Sequence, residues 1–288
     1  MELRQINDAA VFHQAVRRFQ AQCPTGSVAD NCYLLPHKVA ALVAQGRLYQ
    51  MALQGGQALA FLVDEGPFYR VHLFVPQQGP HHLGRMWADK PLLAEVVYQD
   101  GRMAPRSALL MQALEAGGFQ LHQVNRQFRL PIPPLSALQP KLDALHRQSI
   151  QEGFTLTSAQ AEDFGQICAL WKAYLDPYAF SYATPQQWQE ELQAGRLQCI
   201  KDGTGAVVAA QQFSLEGKTS QESHLVVAPP FRGRGLARVM YHRWLYSAAQ
   251  AGCVNAFCWI ARDNAPSLAF HRDFIPSNKL SAQYVRTF

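Results

Sequence analysis

The residues best suited to chemistry lie in one segment, Leu225-Val226-Val227-Ala228-Pro229-Pro230-Phe231-Arg232-Gly233-Arg234-Gly235-Leu236-Ala237. An apolar strand end is stopped by two prolines, which lack the N–H that a sheet or helix would need. Beyond the turn, Leu236, Val239, Met240, Trp244, Leu245 and Ala248 recur at helical spacing, predicting a helix to about Gln250 that Gly252 ends. A helix start presents unpaired amides and the positive end of the helix dipole, a setting that suits a phosphate. Gly233 and Gly235 let the backbone approach an anion with no Cβ in between, Arg232 and Arg234 add positive charge, and Ala237 keeps the first turn small.

Such a turn works only if a sheet and helices fix it, and the residues from 154 onward supply them. Apolar runs bounded by turn residues predict strands over 154–157, 197–201, 206–215, 224–227, 254–260 and 284–288. Asp202-Gly203 and Glu216-Gly217-Lys218 make a meander of three of them. Phe164, Ile167, Leu170, Trp171 and Tyr174 mark a helix opening at Ser158 or Ala159, and Thr184-Pro185 caps another through Leu192. The loop between these helices is aromatic, with Tyr178, Phe180 and Tyr182. A short helix follows Asn264-Ala265-Pro266.

The first half repeats this order faintly. Val71-His72-Leu73-Phe74-Val75-Pro76 mirrors His224-Leu225-Val226-Val227-Ala228-Pro229, and a helix over 105–119 precedes a strand over 124–130. Between the halves, Leu130-Pro131-Ile132-Pro133-Pro134 stops both helix and central strand. The expected organisation is a domain at 1–130, a linker with a helical stretch at 131–153, and a domain at 154–288. The fold class is α+β, built as an internal duplication.

Composition excludes several classes of function. Of 288 residues, 48% are apolar and only 16% charged, which rules out a disordered chain. The net charge of +5 divides into 14 basic and 10 acidic residues in 1–150, against 12 and 11 thereafter. Neither half holds a basic block of the kind that grips nucleic acid or an anionic membrane. No apolar run approaches the roughly 18 residues of a membrane span, and the mixed polar start lacks a secretory signal pattern. A cytoplasmic protein with no nucleic-acid or membrane partner is expected. Its six cysteines read as reduced thiols, Cys253 and Cys258 as core residues, and no metal site is expected.

Val227-Ala228-Pro229 followed by Arg232-Gly233-Arg234-Gly235-Leu236-Ala237 resembles, position by position, the signature of the GNAT superfamily of acyl-CoA-dependent N-acyltransferases. A second family element, Asn with a small residue three on and usually Tyr seven on, matches Asn264 and Ser267, with His271 at the seventh position. The family's Gly-Phe ending is replaced by Phe274-Ile275-Pro276. The resemblance covers residues 154–288. It implies two GNAT-like domains in tandem, each a mixed, mostly antiparallel twisted sheet flanked by helices.

The resemblance also assigns roles. Amides of Arg232 to Ala237 would hold the pyrophosphate of acetyl-CoA, the edge of Leu225, Val226 and Val227 would pair with its pantetheine, and Asn264 would meet the pantetheine or a bridging water. A backbone N–H near Val227 would face the thioester oxygen. His271 takes the family's acid position. Glu222 and His224 are candidate bases, but regular alternation puts both on the face opposite Leu225 and Val227, so a bulge would be needed to turn them. Tyr178 and Tyr182 lie where the family binds its acceptor. The first half, running Gln77-Gln78-Gly79-Pro80-His81-His82-Leu83-Gly84 after its strand, lacks the arginine and the glycine spacing and is expected to have no donor site. The implied activity is acetyl transfer from acetyl-CoA to a small-molecule or peptide amine by a monomer or homodimer. An aminoacyltransferase of tandem-GNAT type and a non-catalytic acyl-CoA-binding protein are the alternatives.

Overall fold

The computed structural model describes residues 3–23, 27–53, 57–77, 83, 86, 88–179 and 185–288. They fall into two compact units, the first comprising residues 1–126, 261–263 and 278–288, the second residues 127–260 and 264–277. Both are mixed sheets with flanking helices.

Unit 1 begins with β1 (Leu3–Gln5), α1 (Ala9–Gln22), β2 (Val28–Asp30), α2 (Pro36–Ala44) and β3 (Leu48–Met51). It continues with β4 (Leu59–Asp64), β5 (Tyr69–Pro76), β6 (Leu92–Gln99), α3 (Pro105–Ala116) and the start of β7 (Gln120–Pro131). Phe12 of α1 and Val39 of α2 pack on Phe61, Val63 and Phe74, while Leu110, Met111 and Leu114 of α3 pack on Leu62, Leu73 and Ala94 from the other face. Apolar residues on both faces explain why β4 and β5 read as continuous runs rather than alternating ones.

Unit 2 contains α4 (Leu135–Gln151), β8 (Thr155–Ser158), α5 (Phe164–Tyr174), α6 (Pro185–Gln193), β9 (Leu197–Lys201) and β10 (Val207–Glu216). It goes on with β11 (Thr219–Val227), α7 (Leu236–Gln250), β12 (Asn255–Ala261), α8 (Ala265–Phe270) and the start of β13 (Ile275–Arg286). Strands β8, β9, β10 and β11 are antiparallel neighbours, and β12 joins β11 in parallel. Ile167, Leu170 and Trp171 of α5 cover Leu197, Cys199, Ala210 and Val226 on one face. On the other face α7 packs Val239 and Met240 on Ile200 and Ala209, and Trp244 and Leu245 beside Phe213 and Cys258. The Trp244 indole N–H donates to Ser220 Oγ at 2.8 Å, which removes the desolvation cost of its one polar atom.

The helical stretch expected at 131–153 is the 17-residue α4, and it contributes Leu138 to the core of unit 2. Helix α5 opens at Phe164, after a 310 turn at Ala161–Asp163, rather than at Ser158 or Ala159. Strand β11 starts at Thr219 rather than 224, because the Gly217 turn folds it directly back on β10. The last strand begins at Ile275, and its residues from 278 belong to unit 1, where Lys279–Arg286 pairs antiparallel with β6. Leu280, Ala282 and Tyr284 are buried there, but so are Ser281 and Gln283, and those polar residues hid the strand from a hydrophobicity pattern.

His72 of β5 is buried in unit 1, and neither ring nitrogen has a hydrogen-bond partner among the described residues. Burial first, then the Arg70 charge, pushes its pKa down to about 4. The unfolded chain binds this proton near pH 6.5, so the stabilisation is present above 6.5 and lost as pH falls toward 4. The expected loss is about 3 kcal/mol. Denaturant titrations at pH 7.5 and 4.5 test this: the difference should shrink in His72→Leu, and an equal difference in both proteins would remove His72 as its source.

Candidate functional site

The two units share a local device with opposite outcomes. In unit 2, β11 and β12 pair in parallel only from Thr219↔Asn255 to Glu222↔Cys258. Among the described residues no strand pairs with 223–227 on the side away from β10. A wedge therefore opens beside the end of β11, with Glu222 and Cys258 at its apex. In unit 1, β5 and β6 pair in parallel from Tyr69↔Leu92 to Val71↔Ala94, and the wedge beyond is filled. Strand β2 pairs with Phe74, Val75 and Pro76. Phe74 also pairs with Leu59 of β4, so β2 occupies the side that β6 has left. The buried Asn31 side chain donates to the Val71 and Glu95 carbonyls at 3.0 and 3.1 Å and accepts from the Leu73 N–H at 2.6 Å. The backbone groups that the parting strands leave open are thereby satisfied from within the chain.

At the mouth of the unit 2 wedge lies the arginine–glycine turn. A single 310 turn, Pro229–Phe231, leads into it, and Gly233 and Gly235 sit at φ +80° and +76°, where a side chain would be strained. A Cβ built on either glycine meets nothing within 4 Å, so the space above them is open. Gly235 caps α7 with no side-chain acceptor, and the first turn holds no acidic residue. The amides at this helix start have no side chain of the chain itself to satisfy them, which is the condition for holding an anion.

Both arginines are exposed and held in place. Arg232 donates from Nε to the Val227 carbonyl at 3.0 Å and lies 5.8 Å over the Tyr174 ring. Arg234 lies over Phe154 and Phe231 at 5.7 and 6.0 Å. Leu236 is buried, so only its backbone is available to a ligand, and Ala237 is half-buried.

The bulge that the sequence reading required is present. Gln212 pairs with His224 and Phe213 with Glu222, leaving Ser223 unopposed. Cross-strand partners share a face, so Glu222 stands with Leu225 and Val227, while His224 and Val226 face the other way. This corrects the expectation that Glu222 and His224 share a face. His224 meets the Trp171 ring at 5.3 Å beside α5, and burial lowers its pKa to about 4, leaving it neutral at pH 7.

Glu222 and His271 are brought together, 49 residues apart in sequence. His271 Nε2 lies 2.8 Å from Glu222 Oε2, with both side chains almost wholly buried. His271 Nδ1 lies 2.9 Å from the Ser267 carbonyl and 3.3 Å from the Ser267 hydroxyl, and it donates to the carbonyl when it carries a proton. With Nδ1 protonated, the contact with Glu222 requires a second proton between the two side chains. Burial opposes the imidazolium, but the hydrogen bond and charge of Glu222, helped by the Ser267 carbonyl, outweigh it and raise the His271 pKa. The two side chains thus share a proton between Nε2 and Oε2.

Asn264 and Ser267 prove to be its scaffold. Asn264 caps α8 by accepting from the Ser267 N–H at 3.1 Å, and Ser267 in turn holds His271. The spacing of Asn, Ser and His is therefore a chain of supports for one imidazole.

Two members of this cluster escaped the sequence reading. Gln211, fully buried, donates to Glu222 Oε1 at 2.6 Å; its only signal was a polar pair inside the apolar strand 207–215. Cys258, taken as a core residue, offers its sulfur within 4.8 Å of the Glu222 and His271 ligand atoms. These three are the side chains that could hold a metal among the described residues, but the Glu222 and His271 atoms facing the cluster already contact each other. Burial and the Glu222 charge push the Cys258 thiol up, so it is protonated and unreactive. Tyr178 is half-buried and its phenol is raised by burial and Asp176. Tyr182 lies outside the described residues, as do Phe180 and Gln78 to His82 of the first half.

Residues 165–274 match the family described as Acetyltransferase (GNAT) family. The chain is similar in fold to the tandem GNAT protein from the clavulanic acid biosynthesis pathway, at TM-score 0.56 and 16% identity, with 99% of this chain and 98% of that chain covered. It is also similar to a GCN5-related N-acetyltransferase from Sphaerobacter thermophilus, at TM-score 0.54 and 13% identity, covering 99% and 95%. No curated protein sequence matches the chain. Among the described residues no helix is long and apolar enough to cross a membrane.

Proposed function

Because residues 165–274 are a GNAT-family acetyltransferase domain, we propose that this protein moves an acetyl group from acetyl-CoA to a primary amine by direct attack. The observation that carries the reading is the open arginine–glycine turn at the start of α7, beside the unpaired edge of β11. Amides of residues 232–237, with Arg232 and Arg234, hold the pyrophosphate of acetyl-CoA, and Leu225, Val226 and Val227 line its pantetheine, with Asn264 and Ser267 close to it. Bound there, acetyl-CoA supplies an acetyl group already activated as a thioester.

What the chain must add is proton handling. An amine of pKa near 10 is neutral in roughly one molecule per thousand at pH 7, so freeing it costs about 4 kcal/mol. The Glu222–His271 pair, at the wedge apex, gives its shared proton to the departing sulfur and regains one from the attacking nitrogen. His224 has no part in this role, because it stays on the face opposite Leu225 and Val227, beside α5. Tyr178 and Tyr182 border the acceptor, a small-molecule or peptide amine, and the setting is the cytoplasm of a cell, with the protein a monomer or homodimer.

Unit 1 serves no donor, since β2 and Asn31 fill its wedge. Calorimetry should accordingly return one coenzyme A per chain; two equal sites would contradict it. Turnover of acetyl-CoA across an amine panel tests the main reading, and absence of saturable coenzyme A binding would end it. The burial of the pair favours one second reading, an acyl-CoA-binding protein without turnover, for which no amine in the panel would react although coenzyme A binds.

A further inference from the structure

Away from the wedge, on the α4 and α7 face of unit 2, lies a cavity of about 220 Å³ over β8 and β9. Its walls include Leu142 and Asp143 of α4, Leu156 and Ser158 of β8, Gln198 of β9 and Arg243 of α7. Three observations make it more than a surface groove. Gln198 is only 2% exposed, and its Oε1 has no hydrogen-bond partner among the described residues, a state that buried amide oxygens rarely keep. Arg243 is half-buried and makes no ion pair or hydrogen bond among the described residues. Asp143 stands in the same cavity, with Gln139 donating to its Oδ1 at 2.8 Å, yet forms no salt bridge with Arg243.

We infer that this cavity is a binding site for a free α-amino acid with an apolar side chain. An ammonium group donates three hydrogen bonds, and the acceptors among the lining residues include the Asp143 carboxylate, Gln198 Oε1 and the Ser158 hydroxyl, beside those of Gln139, His146 and Thr157. A carboxylate matches the unpaired Arg243 fork. Leu142 and Leu156 supply an apolar wall for the side chain. The volume lies below the roughly 300–1,000 Å³ of drug-sized pockets, in keeping with so small a ligand. Opposite charges that line one small cavity without pairing each other select a zwitterion over an amine or an acid alone. Gln198 is the cross-strand partner of Gln211, which holds Glu222, so occupancy would bear on the wedge apex through one residue.

Calorimetry on the full chain with L-leucine, without acetyl-CoA, tests the site. Saturable binding at one per chain is expected, weakened at least tenfold in Arg243→Gln and in Asp143→Asn, with circular dichroism confirming that each variant is folded. L-Leucinamide, which lacks the carboxylate, and 4-methylpentanoate, which lacks the ammonium, should each bind at least tenfold more weakly. Affinity should be unchanged in Gly235→Glu, which separates this site from the donor turn. No saturable binding, equal binding of either analogue, or loss in Gly235→Glu with none in Arg243→Gln would overturn the inference and leave the acetyl-transfer reading untouched.

Discussion

Replacing Gly235 by glutamate is expected to weaken coenzyme A binding at least about 100-fold, equivalent to some 2.7 kcal/mol, while the chain stays folded. The two halves of that expectation have separate causes. A Cβ at Gly235 meets nothing within 4 Å, so no packing is lost and the side chain projects into open space. The backbone at φ +76° does resist a side chain, at about 1–2 kcal/mol, which for a domain of this size lowers Tm by roughly 2–8 °C. Binding suffers far more, because the carboxylate enters the region where the amides of α7 and the two arginines would meet a diphosphate. Gly235→Ala carries the strain without the charge and serves as the reference. Unchanged affinity in the glutamate variant would detach the turn from donor binding, whatever its effect on Tm.

The second large effect concerns Glu222→Gln. Turnover should fall by about 10²–10⁴, the span of a lost acid–base group, with coenzyme A affinity changed less than threefold. The substitution is nearly isosteric and adds no unpaired group to the cluster. The new amide oxygen accepts from Gln211, and its NH₂ donates to His271 Nε2 when Nδ1 carries the proton bound to the Ser267 carbonyl. The cost is the proton itself: His271 becomes locked neutral. Stability against pH should change accordingly. In the natural chain the raised His271 pKa gives stabilisation that is present below 6.5 and lost as pH rises through the folded value. In the variant the folded pKa drops below 6.5, so the His271 contribution instead weakens as pH falls. Full turnover in Glu222→Gln would show that the pair only braces the wedge, and a pH dependence that fails to reverse would show that His271 was never charged.

Much of the site was legible because it is local. The turn from Arg232 to Ala237 depends on residues adjacent in the chain: prolines that stop a strand, glycines that reach positive φ, an apolar repeat that makes the next helix. Most helices and strands of residues 154–260 followed from periodicity for the same reason, though not the starts of β11 and α5. So did the likeness of Val71–Pro76 to the strand before the turn: β5 runs antiparallel to β4 and parallel to β6, as β11 does to β10 and β12.

Whatever depended on distant parts of the chain meeting was decided by the tertiary structure. The sequence alone placed Glu222 and His224 on one strand, but which of them faces the wedge turned on an extra residue, Ser223, visible only once β10 is paired alongside. His271 could be placed by spacing from Asn264, yet its partner and its charge come from a carboxylate on another element. The filled wedge of unit 1 likewise needed β2 to be seen against β5, for three residues at 28–30 carry no pattern of their own. Periodicity records which side of an element is apolar; register, bulges and the pairing of buried polar groups are set by free energies that exist only after the elements have packed.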